Sequence, residues 1–266
     1  MTTPIALTIA GSDSSGGAGI QADLKTFAAL GVYGASVITA LTAQNTRGVT
    51  GIHPVPSDFV TAQLDAVFDD LDVKAVKIGM VAQLSTIDAI AAALARWSPR
   101  HVVLDPVMVA TSGDPLLGAD AVERLRATLI PRAALITPNL PEAAALLDEA
   151  VAESEAAIES QGQRLLALGC PAVLIKGGHG QGAESTDYLI RSSGTVTLSA
   201  PRVATRNTHG TGCSLSSAIT AGLAKGEDME TAVRHAKAWV SAAIAAADRF
   251  AVGHGHGPIH HFHRFY

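Results

Sequence analysis

The sequence predicts an α/β fold in which a central, mostly parallel β-sheet carries helices on both faces. Short apolar runs alternate with helical periodicity along most of the 266 residues, and this alternation is the pattern of βαβ units. The apolar runs are continuous rather than alternating with polar residues, which is typical of strands buried on both faces. No internal repeat or linker-like stretch interrupts the pattern, so we expect residues 1–266 to form one domain.

The predicted elements follow in chain order. Strands are expected at Ile5–Ile9, Ser36–Leu41, Ala75–Ile78, Val102–Leu104, Ala134–Thr137 and Val173–Ile175. Helices are expected at Ile20–Leu30, Ser57–Phe68, Ser85–Ala95, Ala119–Leu129, Pro141–Leu147 and Ala152–Leu168. In these helical segments apolar residues recur at helical spacing, and Pro141 suits the first turn of its helix.

The final third of the chain departs from this alternation. Tyr188–Ile190 and Val196–Leu198 flank the turn sequence Arg-Ser-Ser-Gly at residues 191–194, which predicts a β-hairpin. Two alanine-rich helices follow, over Gly212–Ala224 and Met229–Arg249. Alanine side chains let helices pack close to a sheet, which partly explains the composition.

Composition excludes several classes of protein. Hydrophobic residues make up 48% of the chain but aromatic residues only 4%, and charged residues make up 16%. These values exclude a disordered chain, a coiled coil and a collagen-like repeat. The net charge of −5 argues against a nucleic-acid partner, because binding phosphates needs clustered lysine and arginine. The chain has only six lysines, so a lysine in an unusual setting is informative.

The chain carries no sign of export or membrane insertion. It lacks a run of about 18 apolar residues, and its N-terminus has no basic segment ahead of an apolar one. The two cysteines, Cys170 and Cys213, cannot form a disulfide framework. We therefore expect a cytoplasmic protein without a membrane partner.

The first candidate ligand site is the loop Gly11–Gln21, which follows a strand and opens a helix. Ligands bind at such strand ends in open α/β sheets. The loop matches neither a P-loop nor a dinucleotide fingerprint, and it could instead be a flexible turn in which Asp13 caps the helix. Asp23, one turn into that helix, either faces the ligand crevice or complements the helix dipole. Gln44 follows the second strand, and its amide suits the edge of an aminopyrimidine, although a surface role is the commoner one.

A second group of candidates lies after the middle strands. Asp105 ends one strand, and Asn139 and Glu142 follow the next, in Thr-Pro-Asn-Leu-Pro-Glu. Two carboxylates at neighbouring strand ends suggest a Mg²⁺ site reached through waters, although one of them could be a helix cap. Lys176 follows the strand Val173–Ile175 and precedes two glycines, a setting in which it could reach phosphate oxygens. The alternative is a lysine whose head group simply extends into solvent.

The strongest motif is Asn-Thr-His-Gly-Thr-Gly-Cys-Ser at residues 207–214. Gly210, Thr211 and Gly212 can present backbone N–H groups to an anion at a helix N-terminus. Such a site suits the charge that develops on a transferring phosphoryl group. The helix dipole should favour the thiolate of Cys213, whereas a lone cysteine is more often buried and inert.

The C-terminal stretch 253–263 holds five of the ten histidines. Its glycine-rich spacing lacks the helical geometry or cysteine partners of ordinary zinc sites. We expect a structural tail with incidental metal affinity.

Taken together, these segments closely resemble the hydroxymethylpyrimidine/phosphomethylpyrimidine kinases of thiamine biosynthesis, a family of the ribokinase superfamily. The matching segments span residues 8–14, 17–26, 36–46, 77–80, 105–109, 207–213 and 255–260. They include Lys-Ile-Gly-Met at 77–80, Asp-Pro-Val-Met-Val at 105–109 and Gly-His-Gly-Pro-Ile-His at 255–260. The series covers nearly the whole chain in order.

The resemblance implies a ribokinase-like fold, with ATP over the helix that begins at the Gly-Thr-Gly-Cys motif. It implies roles for individual residues: Gly11, Asp23, Gln44, Met80 and Val107 for the pyrimidine; Asn139, Lys176 and Lys237 for ATP; Asp105 and Glu142 for Mg²⁺. Cys213 stands where the superfamily's sugar kinases carry an aspartate base. The sequence departs from the family pattern at Ser15, Thr111 and Ser214, where glycine, lysine and threonine are usual.

The resemblance also implies an activity, in which MgATP phosphorylates the hydroxymethyl oxygen of the pyrimidine and then the resulting phosphate. It further suggests a homodimer. Two alternatives stay open. One is a pyridoxal or pyridoxine kinase, whose substrate is also a hydroxymethyl-bearing aromatic heterocycle. The other is a non-catalytic pyrimidine-binding protein on the same scaffold.

Overall fold

The computed structural model describes residues 3–108, 117–178 and 182–266. The strands in these ranges are Ile5–Ala10 (β1), Tyr33–Ile38 (β2), Ala40–Asn45 (β3), Gly48–Pro54 (β4), Ala75–Ile78 (β5), Val102–Leu104 (β6), Leu135–Ile136 (β7), Ala172–Ile175 (β8), Glu184–Arg191 (β9) and Gly194–Pro201 (β10). The α-helices are Gly19–Ala29 (α1), Ser57–Asp70 (α2), Leu84–Trp97 (α3), Ala119–Thr128 (α4), Leu140–Leu147 (α5), Glu155–Leu166 (α6), Thr211–Ala224 (α7) and Met229–Ala245 (α8). Short 3₁₀ turns lie at Ile130–Arg132 and Ala247–Arg249.

Eight of these strands form one sheet in the order β10-β9-β8-β7-β6-β5-β1-β2. Strands β1, β2 and β5 to β8 run parallel to one another, whereas β9 pairs antiparallel with both β8 and the edge strand β10. Strands β3 and β4 form a separate antiparallel hairpin. The predicted α/β fold with a mostly parallel sheet is confirmed.

The side chains of the central strands divide between two hydrophobic cores. In β1, for example, Leu7 and Ile9 face the core formed with α2 to α6, while Ala6 faces the core formed with α1, α7 and α8. Small residues on the second face, such as Ala6 and Ala75, let α7 lie close to the sheet, and α7 is buried along most of its length. The expectation that alanine-rich helices pack closely on the sheet is therefore confirmed.

One predicted strand is wrong. Ser36–Leu41 was expected to be a single strand, but β2 ends at Ile38 and β3 begins at Ala40 in a different sheet. Between them, Thr39 donates its N–H to the Ala10 carbonyl and its hydroxyl to the Met80 carbonyl, which turns the chain out of the main sheet. Strand β4 was not predicted, because its sequence Gly-Val-Thr-Gly-Ile-His-Pro lacks a continuous apolar run.

Two helices are shorter than predicted. Helix α6 begins at Glu155 rather than Ala152 because the hydroxyl of Ser154 caps it, accepting from the Ala157 N–H. Helix α8 ends at Ala245, and residues 247–249 continue it only as a 3₁₀ turn. Within the described ranges, no helix has the length and apolar character needed to cross a membrane.

Candidate active site

The predicted site residues gather at the carboxyl ends of the parallel strands. The first loop, residues 11–18, follows β1, while Met80 and Asp105 lie just after β5 and β6. Asn139 follows β7, and Lys176 follows β8. The N-terminus of α7 meets this edge of the sheet, so distant parts of the sequence share one crevice.

Three charged side chains, Asp105, Glu142 and Lys176, form what we call the phosphate cluster. The Nζ of Lys176 lies 2.7 Å from Oδ1 of Asp105 and 3.7 Å from Oε2 of Glu142. Asp105 also accepts hydrogen bonds from the hydroxyls of Thr137 (3.0 Å) and Ser216 (3.3 Å). The structure thus brings together the predicted phosphate-binding lysine and both predicted carboxylates.

Charge balance within the cluster sets its protonation. Burial alone would raise the pKa of Asp105, but Lys176 and Lys77 more than offset it, so that this pKa is lowered. Burial raises the pKa of Glu142, against the opposing effect of Lys176. Burial disfavours the Lys176 ammonium, yet Asp105 and Glu142 outweigh it and raise the pKa of Lys176. The lysine therefore stays cationic, and Asp105 is its anionic partner.

The carboxylates of the cluster suit a hard cation in their chemistry. Oxygen ligands of Asp105 and Glu142 are those that Mg²⁺ prefers, and the ion commonly keeps several waters and binds substrate phosphates. The Lys176 ammonium already contacts both carboxylates. The residues therefore fit Mg²⁺ when waters and phosphate oxygens complete its coordination.

Asn139 and Glu142 have a second role, at the start of α5. The Asn139 Oδ1 accepts the Glu142 N–H at 2.8 Å, and the Glu142 Oε2 accepts the Asn139 N–H at 2.7 Å, forming a capping box. The alternative that one carboxylate is a helix cap is thus confirmed for Glu142. The cap holds Glu142 in place beside Lys176.

Lys237 reaches the same region through an intermediate carboxylate. Its Nζ lies 2.8 Å from Oδ2 of Asp187, whose Oδ1 accepts the Gly177 N–H at 2.9 Å. Gly177 directly follows Lys176. The Lys237–Asp187 pair therefore fixes the backbone that carries Lys176.

The N-terminus of α7 lies against the first loop. Gly210 has φ of +79°, and a side chain at this position would collide with the Gly17 carbonyl oxygen. A Cβ on Gly212 would lie 3.4 Å from the Lys176 Nζ, so the first turn of α7 adjoins the phosphate cluster. An anion bound there would meet both the helix terminus and the lysine.

One of the expected amide donors is already used. The Thr211 N–H donates to the Thr208 carbonyl at 3.2 Å. The described residues supply no backbone acceptor for the N–H groups of Gly212 and Cys213. The expected anion-binding set of Gly210, Thr211 and Gly212 stays a prediction, with the Thr211 N–H engaged locally and the N–H groups of Gly212 and Cys213 available in the first turn.

The expectation of a favoured thiolate at Cys213 is wrong. Burial raises the pKa of the Cys213 thiol to about 11, although the residue keeps partial exposure. Lys77 and a hydrogen bond from the Gly19 N–H act in the opposite direction, while Asp23 adds to the increase. Desolvation thus outweighs the cation and the helix termini, and the sulfur is a thiol at neutral pH.

Asp23 and Lys77 form a sealed ion pair beneath the site. Both side chains have no exposure, and the Lys77 Nζ lies 2.8 Å from Oδ2 and 3.0 Å from Oδ1 of Asp23. The carboxylate also accepts from the hydroxyls of Thr8 (2.6 Å) and Ser217 (2.7 Å). Asp23 therefore joins β1, β5, α1 and α7 from inside, and its predicted contact with the pyrimidine stays a prediction.

The first loop is an ordered structure rather than a flexible turn. Asp13 is buried, and its carboxylate accepts the N–H groups of Ser15, Gly17 and Ala18 at 2.8 to 3.1 Å. The same carboxylate lies 2.8 Å from Nε2 of His209. Ala18 is the N-cap residue of α1, so Asp13 binds the backbone at the start of this helix, but from within an ordered loop.

The predicted pyrimidine contacts surround this loop. A Cβ on Gly11 would collide with the Met80 methyl group, so the two residues are in close packing. Val107, just past β6, is half-buried. Gln44 is also half-buried, and its amide lies 3.1 Å from the Thr42 hydroxyl.

Sequence reasoning assigned no role to two buried side chains of the site, Lys77 and His209. A signal existed for Lys77: a lysine within the apolar strand Ala-Val-Lys-Ile must find a buried anionic partner. His209 gave no such signal, because its partner Asp13 lies 196 residues away. Val109, Thr111 and His179, which the motifs included or compared, lie outside the described residues.

The histidine-rich tail is structural, as expected. His261 contacts the Ser214 hydroxyl at 2.9 Å, and His261 and His263 pack against Trp239. Burial lowers the pKa of His261 to about 3, so it is neutral. The described part of the chain contains no group of three or more potential metal ligands.

Comparison with known proteins agrees with this geometry. Residues 13–260 match the model of the family described as phosphomethylpyrimidine kinase. A hydroxymethylpyrimidine/phosphomethylpyrimidine kinase from Rhizobium meliloti (strain 1021) is 60% identical over 264 residues, 99% of each chain. The thiamine biosynthesis bifunctional protein ThiED of Geobacter sulfurreducens is 51% identical over 255 residues, covering 96% of this chain and 51% of that protein.

The fold also matches a solved structure. The ADP complex of Bacillus subtilis pyridoxal kinase superposes with a TM-score of 0.92 at 36% identity, covering 100% of both chains. The ribokinase-like α/β architecture that the resemblance implied is confirmed by this match.

Proposed function

This chain belongs to the phosphomethylpyrimidine kinase family, and on that premise we propose that it phosphorylates 4-amino-5-hydroxymethyl-2-methylpyrimidine with MgATP. The first transfer yields the monophosphate and the second the diphosphate, for thiamine biosynthesis. The observation that carries the proposal is the phosphate cluster beside the first turn of α7. A cationic Lys176 close to a helix N-terminus supports the proposal, because both would stabilise negative charge on a transferring phosphoryl group.

Each residue has a defined task in the proposed reaction. Lys176 and the α7 amides bind the phosphate oxygens of ATP, with Asn139 and Lys237 supporting the loops around them. Asp105 and Glu142 would hold Mg²⁺, which would neutralise negative charge on the transferring group. Gly11, Gln44, Met80 and Val107 form the pyrimidine side of the site, with the fully buried Asp23 beneath them.

The two transfers make different demands on a base. In the first, the substrate hydroxyl oxygen attacks the γ-phosphorus, the bond from that phosphorus to the β,γ-bridging oxygen breaks, and ADP leaves. The hydroxyl proton passes to the sulfur of Cys213, which must first lose its own proton to solvent. With a pKa of about 11, this costs several orders of magnitude in thiolate population at neutral pH. In the second transfer the attacking phosphate is already largely a dianion and needs little base.

Mass spectrometry of products from the hydroxymethylpyrimidine and MgATP tests the function directly. We expect the monophosphate to appear first and the diphosphate to follow from it. A product that stops at the monophosphate would contradict the two-step proposal. Absence of ATP turnover together with tight pyrimidine binding would instead support the non-catalytic alternative.

Pyridoxal kinase activity is the second candidate, favoured by the match to the Bacillus subtilis pyridoxal kinase at 36% identity. Parallel single-turnover assays with pyridoxal and the hydroxymethylpyrimidine separate the two. We expect faster phosphorylation of the pyrimidine, because the 60% identical relative is a hydroxymethylpyrimidine/phosphomethylpyrimidine kinase. Only the pyrimidine substrate can give a diphosphate.

We also propose a cytoplasmic homodimer. A reducing compartment suits two free cysteines. Exposed apolar side chains at Tyr33 on the edge strand β2, and at Leu41 and Ile52 on the β3–β4 hairpin, offer surface for a second subunit. Light scattering at several protein concentrations tests the oligomeric state.

A further inference from the structure

The C-terminal segment 253–261 binds the tip of the β3–β4 hairpin through Thr46. The N–H groups of His254 and Gly255 donate to the Thr46 hydroxyl at 3.3 and 3.0 Å, and the His256 N–H donates to the Thr46 carbonyl at 2.8 Å. A Cβ on Gly253 or Gly255 would collide with Thr46, so these glycines permit the close approach. One threonine thus connects the tail to the hairpin through three hydrogen bonds.

The same segment also binds the N-terminal region of α7. The His209 N–H donates to the Gly257 carbonyl at 3.0 Å, and a Cβ on Gly257 would collide with the Asn207 side chain. Further along, His261 contacts the Ser214 hydroxyl at 2.9 Å, with both residues buried. The tail therefore bridges the hairpin tip and the helix that begins at the phosphate side of the site.

Strand β3 of the hairpin is bound separately, to the first loop. The Ser14 hydroxyl donates to the Gln44 carbonyl at 2.7 Å and accepts the Gln44 N–H at 2.9 Å. The Ser12 carbonyl accepts the Thr42 hydroxyl at 2.9 Å. Gln44 is thus bound directly to the first loop. Two residues later, Thr46 is bound to the tail. A hairpin held at both points has less freedom to carry Gln44 away from the site.

We infer that segment 253–261 is a positioning element for the pyrimidine, which holds Gln44 through Thr46 at a set distance from the helix α7 terminus. This inference rests on the proposed function, since it takes the pyrimidine as the ligand of Gln44. The described residues show no hydrogen bond from the segment to Asp105, Glu142 or Lys176. Loosening only its attachment at Thr46, while its bonds to His209 and Ser214 persist, should weaken pyrimidine binding and leave ATP binding nearly unchanged.

The test uses Thr46→Val in the full-length protein, with Thr46→Ser as the conservative variant. Valine keeps the shape of threonine but removes the acceptor for two N–H groups, whereas serine retains it. Thr50→Val is the matched control, because the Thr50 hydroxyl bonds within the hairpin to the Ala43 carbonyl (3.0 Å) and not to the tail. We expect Thr46→Val to raise KM for the pyrimidine about tenfold, with KM for ATP within about twofold.

Thr46→Ser should have a KM for the pyrimidine close to that of the wild type, and Thr50→Val should have the wild-type value. Hydrogen exchange without ligand should show faster exchange of the His254 and Gly255 amides in Thr46→Val only. Faster exchange with an unchanged pyrimidine KM would overturn the inference, as would equal increases in both KM values. If the wild type makes no phosphorylated pyrimidine, the proposed function fails, while calorimetric binding of the pyrimidine to the same variants still tests the positioning role.

Discussion

Two buried lysine–aspartate pairs lie within electrostatic range of Cys213, and they differ in their access to solvent. Lys77 and Asp23 are both fully buried, whereas the Lys176 side chain keeps 13% exposure beside an almost fully buried Asp105. Burial lowers the pKa of each lysine, but the aspartate together with other nearby acidic groups raises it by more, so that both ammonium groups are charged. Because the two lysines carry the same charge but differ in solvent access, we expect them to have different roles.

Position along the strand explains the difference. Lys77 is the third of the four residues of β5 and points inward, toward Asp23 of α1 and Ser217 of α7. Lys176 is the first residue beyond β8, where the strand edge opens into the site. A ligand can reach Lys176 and replace one of its present contacts. Lys77 is closed to ligands, so it can act on them only through its electrostatic field.

The largest effect is expected for Lys77→Met on stability. The substitution leaves the Asp23 carboxylate buried without its cation, which should cost about 3–5 kcal/mol in the free energy of unfolding. Urea denaturation measures this loss. The double variant with Asp23→Asn should recover most of it, because the remaining groups are neutral. A loss below about 1 kcal/mol would show that the sealed pair contributes no more than a surface pair.

Lys176→Ala should lower the catalytic activity far more than it lowers the stability of the protein. Removing the cation should lower kcat/KM for ATP by about 10²–10³-fold, with a smaller loss of stability than for Lys77→Met. Steady-state kinetics measure the first effect, and calorimetry should find pyrimidine binding little changed. Loss of pyrimidine binding with nucleotide binding intact would contradict the assignment of Lys176 to phosphate.

Cys213→Ala tests the sulfur that interacts with both pairs. We expect the first phosphoryl transfer to slow by about 10²-fold, because the alcohol must lose a proton, and the second to slow less. Single-turnover reactions followed by mass spectrometry resolve the two steps. Equal slowing of both would mean that Cys213 acts by positioning.

Gln44→Leu provides a neutral comparison that leaves both ion pairs intact. Loss of the amide should raise KM for the pyrimidine by about tenfold, with nucleotide binding unchanged. Calorimetric titration with the pyrimidine alone checks this, and an unaltered affinity would remove Gln44 from the site.

The smallest effect concerns the ionisation of Cys213, followed by alkylation with iodoacetamide in a Cys170→Ala background. Because the folded pKa of about 11 lies above the ordinary 9.0, the thiol stays protonated through neutral pH. The alkylation rate should therefore rise about tenfold per pH unit from neutrality toward pH 11. Lys176→Ala should move the midpoint upward, because a cation that favours the thiolate is lost; a downward move would contradict this sign.

Much of the fold could be predicted from local pattern. Strands β5 and β6 have the predicted bounds, and the helices differ from prediction mainly at their ends, because a continuous apolar run or a helical stripe is visible within a short window. The β3–β4 hairpin could not be predicted in this way. Its strands are half-exposed and rich in glycine and polar residues, and they form because Ser12, Ser14 and Thr46 bind them to other segments.

The candidate site also contains features that the sequence could predict and one that it could not. Asp105, Glu142 and Lys176 were predicted from their places at strand ends, and the structure joins them in one cluster. The ionisation of Cys213 could not be predicted, because the helix start is visible in the sequence while the burial around the sulfur is not.

The amino-acid sequence was enough to predict the α/β order of elements, the polar residues at the strand ends and the glycine-rich start of α7. Each depends on residues close together in the chain. The pairing of the charged side chains is visible only in the folded structure. Asp23 and Lys77 are 54 residues apart in the chain, and Asp105 and Lys176 are 71 residues apart. The physical reason is that a buried ion pair forms where strand order and helix packing bring two side chains together out of water, and neither is encoded in a local window.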